Sequence, residues 1–185
     1  IGRTVSEYLC AAGIRMFAVS ETQKYGHVTY FWNGNRSGYI DRSLETYVEI
    51  PSDRIAFDLP PRMKAPEIAE RAAAMLREGT YRFGRLHFAN GDMVGHTGSV
   101  EAAVVAAETV DHHVGELLRV TRELEGIAVV TADHGNLDVM FTRDGEGRGI
   151  VKTAHTLNPV PFAVFDPLYA DEYGMASLER AGLSN

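Results

Sequence analysis

Three short stretches place aspartate and histidine together among glycines: Asn90-Gly91-Asp92-Met93-Val94-Gly95-His96-Thr97-Gly98, Ala132-Asp133-His134-Gly135-Asn136 and Lys152-Thr153-Ala154-His155-Thr156. Carboxylate oxygens with imidazole nitrogens make a mixed hard and borderline ligand set. That set suits Mn²⁺ or Zn²⁺, and Mg²⁺ where water completes the shell. Glycine lets backbone approach an ion closely. Five candidates, Asp92, His96, Asp133, His134 and His155, are enough for one full site and part of another. Two neighbouring metals suit phosphoryl chemistry, because they clamp the attacking and leaving oxygens of an in-line displacement. Taken singly, each residue has a plainer reading: an Asp at a strand end caps a helix, and a loop His is a satisfied polar group. Their recurrence at three strand ends brings the ligand reading level with the plainer one. His112 and His113 fall within a long helical pattern and read as surface or packing residues. His87 reads as structural, and His27, near Lys24, as a candidate for a supporting role.

These residues need a scaffold that brings separate loops to one place. Thr4 with Glu7 three residues later reads as a capping box. The helix it opens is predicted to bury Val5, Tyr8, Leu9 and Ala12 and to stop at Gly13. Met16 to Val19 is a short apolar run, read as a buried strand. His27 to Trp32 suits either strand or helix, and residues 33–38 carry turn chemistry. Glu45 to Ile50 reads as an edge strand. Pro60-Pro61 breaks the chain, and Pro66 suits the first turn of a helix with Ile68, Ala72, Met75 and Leu76 inward. Phe83 to Ala89 is a strand candidate. Residues 98–124 form the clearest helix, with Val100, Ala103, Val104, Ala107, Val110, Val114, Leu117, Leu118 and Leu124 on one apolar stripe. Ile127 to Thr131 and Val160 to Phe165 read as buried strands, and 143–149 as a solvated loop. Strands alternating with helices predict a three-layer α/β/α fold with a largely parallel central sheet. In such sheets ligands sit beyond the carboxyl ends of the strands, where the Asp and His stretches fall.

The chain has 185 residues, 45% apolar and 23% charged, the composition of a globular domain. No repeat or second domain is marked. No apolar run approaches the roughly 18–20 residues of a membrane helix, so no membrane partner is expected. The net charge of −7 gives an acidic surface that repels a phosphate backbone, so nucleic acid is not expected either. A small anionic substrate would need local positive charge. The single cysteine, Cys10, reads as a core thiol and fits a reducing, cytoplasmic compartment. The chain opens on Ile1 and closes on LERAGLSN without a helix end, which reads as a piece of a longer protein.

The strings NGDMVGHTG (90–98), TADHGN (131–136) and HTLNPVPF (155–162) closely resemble the cofactor-independent phosphoglycerate mutases of the alkaline phosphatase superfamily. ETQKYGHVTYFWNGNRSG (21–38) is similar to the same family, nearest its plant and trypanosomatid branch. The likeness runs from about Thr4 to the C-terminus. It implies an alkaline-phosphatase-like fold, here incomplete, and interconversion of 3-phosphoglycerate and 2-phosphoglycerate in glycolysis through a phosphoserine intermediate. It also implies two divalent metal ions, Mn²⁺ being expected and Mg²⁺, Co²⁺ or Zn²⁺ the alternatives. Carried over by motif, Asp92, His96 and His155 would hold one metal, and Asp133 and His134 part of the second. Lys24 would contact the substrate phosphate, and residues 26–32 would be helical.

In that family the serine nucleophile, a further aspartate ligand and a whole phosphotransferase domain lie in segments not found between Ile1 and Asn185, and a final helix follows GLSN. Residues 1–185 are therefore expected to be the C-terminal part of the phosphatase, or metalloenzyme, domain. Such a chain would lack mutase activity of its own while still able to hold one metal. Ser20, in AVSETQKY, matches a non-nucleophilic stretch and is not expected to substitute. Faces that other segments would cover are expected to be exposed, with self-association as a consequence. Two alternatives stay open: another phosphohydrolase or phosphomutase of the same superfamily, and a non-catalytic module that binds a metal or a partner.

Overall fold

The computed structural model describes residues 1–57 and 59–169. The capping box forms and opens α1 (Val5–Ala11): the Thr4 amide donates to Glu7 Oε2 at 2.8 Å, and the Glu7 amide to Thr4 Oγ1 at 3.4 Å. The buried residue of α1 is Ser6, while the expected Val5 and Tyr8 face solvent. A polar contact sets that inward face, since Trp32 Nε1 donates to Ser6 Oγ at 3.0 Å. Cys10 is half-buried rather than a core thiol.

β1 (Met16–Glu21) is buried along its whole length because it is the middle strand of a parallel sheet, flanked by β2 (Glu45–Ile50) and β3 (Phe83–His87). Met16 pairs with Glu45 and Phe83, and Ser20 with Glu49 and His87. This register assigns each residue its face. Phe17, Val19, Val48 and Leu86 meet α2 (Ala65–Arg77), whose Ile68, Ala72 and Met75 are buried as their spacing predicts. The other face meets residues 22–32. Here Thr22–Lys24 is a 3₁₀ turn and His27–Phe31 a π-helical turn, so the helical option holds. Alternate residues of β3 clamp that turn. Phe83 lies near Trp32, Arg85 Nε donates to the Val28 carbonyl at 2.7 Å, and the His87 ring stands 5.9 Å from that of His27. Arg85 is buried over the rings of Trp32 and Tyr47, 3.7 Å from Glu45 Oε1, so its charge is both paired and stacked.

α3 (Asn90–Gly95) and α4 (Val100–Glu123) follow β3, and α4 packs against both α2 and α3. Its inward residues are Ala102, Ala103, Ala106, Thr109 and Val120, whereas Val100, Val104 and Leu124 of the expected stripe are exposed. Small side chains let α4 approach α3 closely, which rotates the buried face toward the alanines. β4 (Ala128–Thr131) and β7 (Phe162–Phe165) also correct an expectation. They pair antiparallel in a sheet of their own, and Ile127, Val129, Phe162 and Val164 are exposed. An apolar run predicts a strand but not the layer that covers it. The expected loop at 143–149 is the end of a hairpin, β5 (Phe141–Arg143) with β6 (Gly149–Val151). The terminal LERAGLSN lies outside the described residues. No helix among the described residues is long and apolar enough to cross a membrane.

Candidate metal centre

The chain brings its Asp and His residues together at the carboxyl edge of the parallel sheet. Lys24 ends the 3₁₀ turn after β1, His87 ends β3, and Asp92 and His96 lie on and just after α3. Asp133, His134 and Asn136 follow β4. His155 precedes β7, and because β7 runs antiparallel to β4, Thr131 and Phe162 are paired at the same end. The two loops are joined directly: Gly135 and Thr156 form an antiparallel bridge, the Thr156 amide donating to the Gly135 carbonyl at 3.0 Å. A Cβ at position 135 would stand 2.2 Å from Thr156 Oγ1, so this approach requires glycine. The result is a close stack of the His134 and His155 rings, 3.6 Å between centroids.

Asp92 and His96 are four residues apart and share one side of α3. His96 Nε2 lies 3.0 Å and His155 Nε2 3.1 Å from the same oxygen, Asp92 Oδ1. Asn136 Nδ2 donates to that oxygen at 2.9 Å and to the Asp92 carbonyl at 3.2 Å, and stands 3.3 Å from His96 Nε2. One ligand atom from each of Asp92, His96 and His155 lies within 4.8 Å of the other two. A carboxylate oxygen has about two lone pairs, yet three nitrogens converge on this one. Two imidazole nitrogens and a carboxylate around one point fit a borderline divalent ion.

Lys24 is only 3% exposed, and its ammonium bridges two carboxylates: Nζ lies 2.9 Å from Asp92 Oδ2 and 3.5 Å from Asp133 Oδ2. It also stands 3.4 Å from His134 Nε2 and 3.5 Å from His27 Nε2. Around Asp133 Oδ2 gather His87 at 3.4 Å, His134 at 3.5 Å and His27 at 4.0 Å. Among the described residues this second group converges less tightly than the first. Burial by itself raises the Asp92 carboxyl, but hydrogen bonds from Lys24 and Asn136 and the charges of Lys24 and His134 outweigh it and hold it at about 2. Against the same burial, the His87 hydrogen bond and the charges of His87, Lys24 and His134 hold Asp133 well below the usual carboxylate range. Burial, then the Lys24 charge, lowers His27. The cluster thus presents ionised carboxylates and, at His27, a neutral imidazole at neutral pH.

All six residues singled out in the sequence, Lys24, Asp92, His96, Asp133, His134 and His155, meet in this one cluster. His27 joins them. His87, read as structural, belongs here too, because β3 ends at it rather than at the expected Ala89. Asn136 was missed, although it closes the Asp133-His134-Gly135-Asn136 stretch. Ser20 is buried with its hydroxyl donating to the His87 carbonyl at 3.1 Å.

Carboxylates and imidazoles gathered at a sheet edge on a layered α/β frame are the makings of a metal-ion site, and the chain belongs to the metalloenzyme superfamily, whose family model matches residues 1–185. Within that class its likeness is to phosphoglycerate mutases. It is 49% identical to the probable 2,3-bisphosphoglycerate-independent phosphoglycerate mutase 2 of Arabidopsis thaliana, over 100% of this chain and 35% of that protein. It is 44% identical to the 2,3-bisphosphoglycerate-independent phosphoglycerate mutase of Trypanosoma brucei brucei, over 99% of this chain and 35% of that one. A Leishmania mexicana phosphoglycerate mutase, solved at low cobalt concentration, matches with a TM-score of 0.83 and 47% identity, over 89% of this chain and 32% of its own. The chain therefore spans 35% of the length of the curated relatives it matches. The expected resemblance holds along the whole chain, and the α/β fold is that of a phosphoglycerate mutase.

Proposed function

We propose that this chain is the metal-binding part of the phosphatase domain of a phosphoglycerate mutase. The parent would interconvert 3-phosphoglycerate and 2-phosphoglycerate through a phosphoserine intermediate, in cytoplasmic glycolysis. The observation that carries this reading is the convergence of Asp92, His96 and His155 beside Asp133, His134 and the buried Lys24. Asp92, His96 and His155 would hold one divalent ion, and Asp133 and His134 part of a second. Mn²⁺ is the expected ion, since the donors are mixed carboxylate and imidazole. Bound there, the ions would neutralise charge on a transferring phosphoryl group.

The chain's own residues supply the rest. Asp92 and Asp133 are ionised in advance and so compete with no proton at neutral pH. Asn136 orients the Asp92 carboxylate, and the Gly135–Thr156 bridge fixes His134 against His155. Lys24 would grip a phosphate oxygen. In keeping with the resemblance, the serine nucleophile is proposed to come from elsewhere in the parent protein.

The test is a titration of the purified chain with Mn²⁺, paired with an activity assay. Mn²⁺ should bind, and Asp92→Asn or His155→Ala should weaken it at least about tenfold. The same chain with 3-phosphoglycerate and Mn²⁺ should yield no 2-phosphoglycerate. Turnover near the rate of a full enzyme, or Mn²⁺ binding indifferent to both substitutions, would overturn the proposal.

A further inference from the structure

α4 carries a second histidine cluster that takes no part in the centre at the sheet edge. His112 and His113 fall in mid-helix, and Glu116 lies one turn further on. At spacings of four and three residues, Glu116 neighbours both rings. His113 Nδ1 lies 2.7 Å from Glu116 Oε2, and His112 Nε2 3.6 Å from Glu116 Oε1. The rings meet edge to face with centroids 5.0 Å apart. One ligand atom from each residue lies within 4.8 Å of the other two. His113 is largely buried and so held in place, while His112 and Glu116 open to solvent. Arg119 also stands 3.6 Å from Glu116 Oε1.

We infer that His112, His113 and Glu116 form a peripheral metal site for a borderline divalent ion of the Zn²⁺ class, with water completing the coordination. Two imidazoles and one carboxylate select such ions over Mg²⁺ or Ca²⁺, which take oxygen ligands. Tetrahedral bonds of about 2.0–2.2 Å to nitrogen and oxygen set neighbouring donor atoms roughly 3.3–3.6 Å apart. The His112–Glu116 pair at 3.6 Å already stands near that spacing, and the His113–Glu116 hydrogen bond at 2.7 Å has to open slightly to admit the ion. The site lies about 18 Å along the helix from Val100, and it is built wholly within one element. An ion there binds only the helical form of the segment and so stabilises the fold by linkage.

Zn²⁺ uptake by the metal-free chain, measured against a competing chromophoric chelator, tests this directly. Wild type should bind one equivalent more than the His112→Gln, His113→Gln double variant, while both keep the same Mn²⁺ affinity at the Asp92 cluster. In a background of Asp92→Asn and His155→Gln, Zn²⁺ should still raise the Tm, and Glu116→Ala added to it should abolish that rise. Equal Zn²⁺ stoichiometry in wild type and the double variant would overturn the inference. So would a Zn²⁺-dependent Tm rise that survives Glu116→Ala.

Discussion

A buried ammonium is costly to desolvate, and Lys24 is tolerated because Asp92 and Asp133 flank it. Lys24→Met would leave those two carboxylates facing one another. In metal-free buffer the expected loss is about 2–3 kcal/mol in urea denaturation. Excess Mn²⁺ should shrink that loss, because a bound cation supplies the same neutralisation. A loss unaffected by Mn²⁺ would assign Lys24 to packing alone. The same contacts set an acid limit. The Asp92 carboxyl is depressed from 3.8 to about 2 in the folded chain. Its stabilisation is therefore complete above the unfolded value and disappears as pH falls through the folded one, a change of about 2 kcal/mol. Asp133 acts in the same direction. Between about pH 4 and pH 2 the metal-free wild type should lose stability more steeply than Asp92→Asn, by denaturation at each pH. At this scale the members of the cluster were legible, because Asp and His beside glycine are local signals. Asn136 and His87 were not, since a group that orients another is identified by what lies across space from it.

Position 135 is where two loops touch, and the touch leaves no room for a methyl group. Gly135→Ala should push Thr156 away and separate His134 from His155. The expected result is a stability loss of about 1–3 kcal/mol and a 10- to 100-fold weaker Mn²⁺ affinity, roughly, by calorimetry. Undiminished Mn²⁺ affinity would mean that the bridge does not position the ligands. Gly95→Ala probes the second contact, because its Cβ would meet Asn136 Oδ1 at 2.4 Å and tilt the amide that holds Asp92. The element pattern was only partly readable. Asp92 and Asp133 follow their strands, whereas His155 precedes its own. That asymmetry is the mark of an antiparallel partner, and the alternation of strands and helices hid it. The buried face of α4 was read only in part: Ala103 is buried as expected, while Val100, Val104 and Leu124 are exposed.

Val129 and Val164 sit opposite one another on β4 and β7, and both are exposed with Phe162 beside them. Apolar patches of this kind drive association. Light scattering should show mass rising with concentration, and Val129→Lys with Val164→Lys should suppress the rise; a monomer at every concentration would count against it. Burial of these strands was not legible, because the covering layer is a property of the assembled molecule. The opposite holds for β3. Phe83, Arg85 and His87 leave it on one side, toward the 27–32 turn, and Gly84 and Leu86 on the other. Sliding β3 by a single position against β1 would swap these sets. A guanidinium would then be driven into the oily side, and Asp133 would lose an imidazole. An out-of-step sheet and an unformed pocket are thus one and the same folding error, and a chain that commits the first is barred from concealing the second.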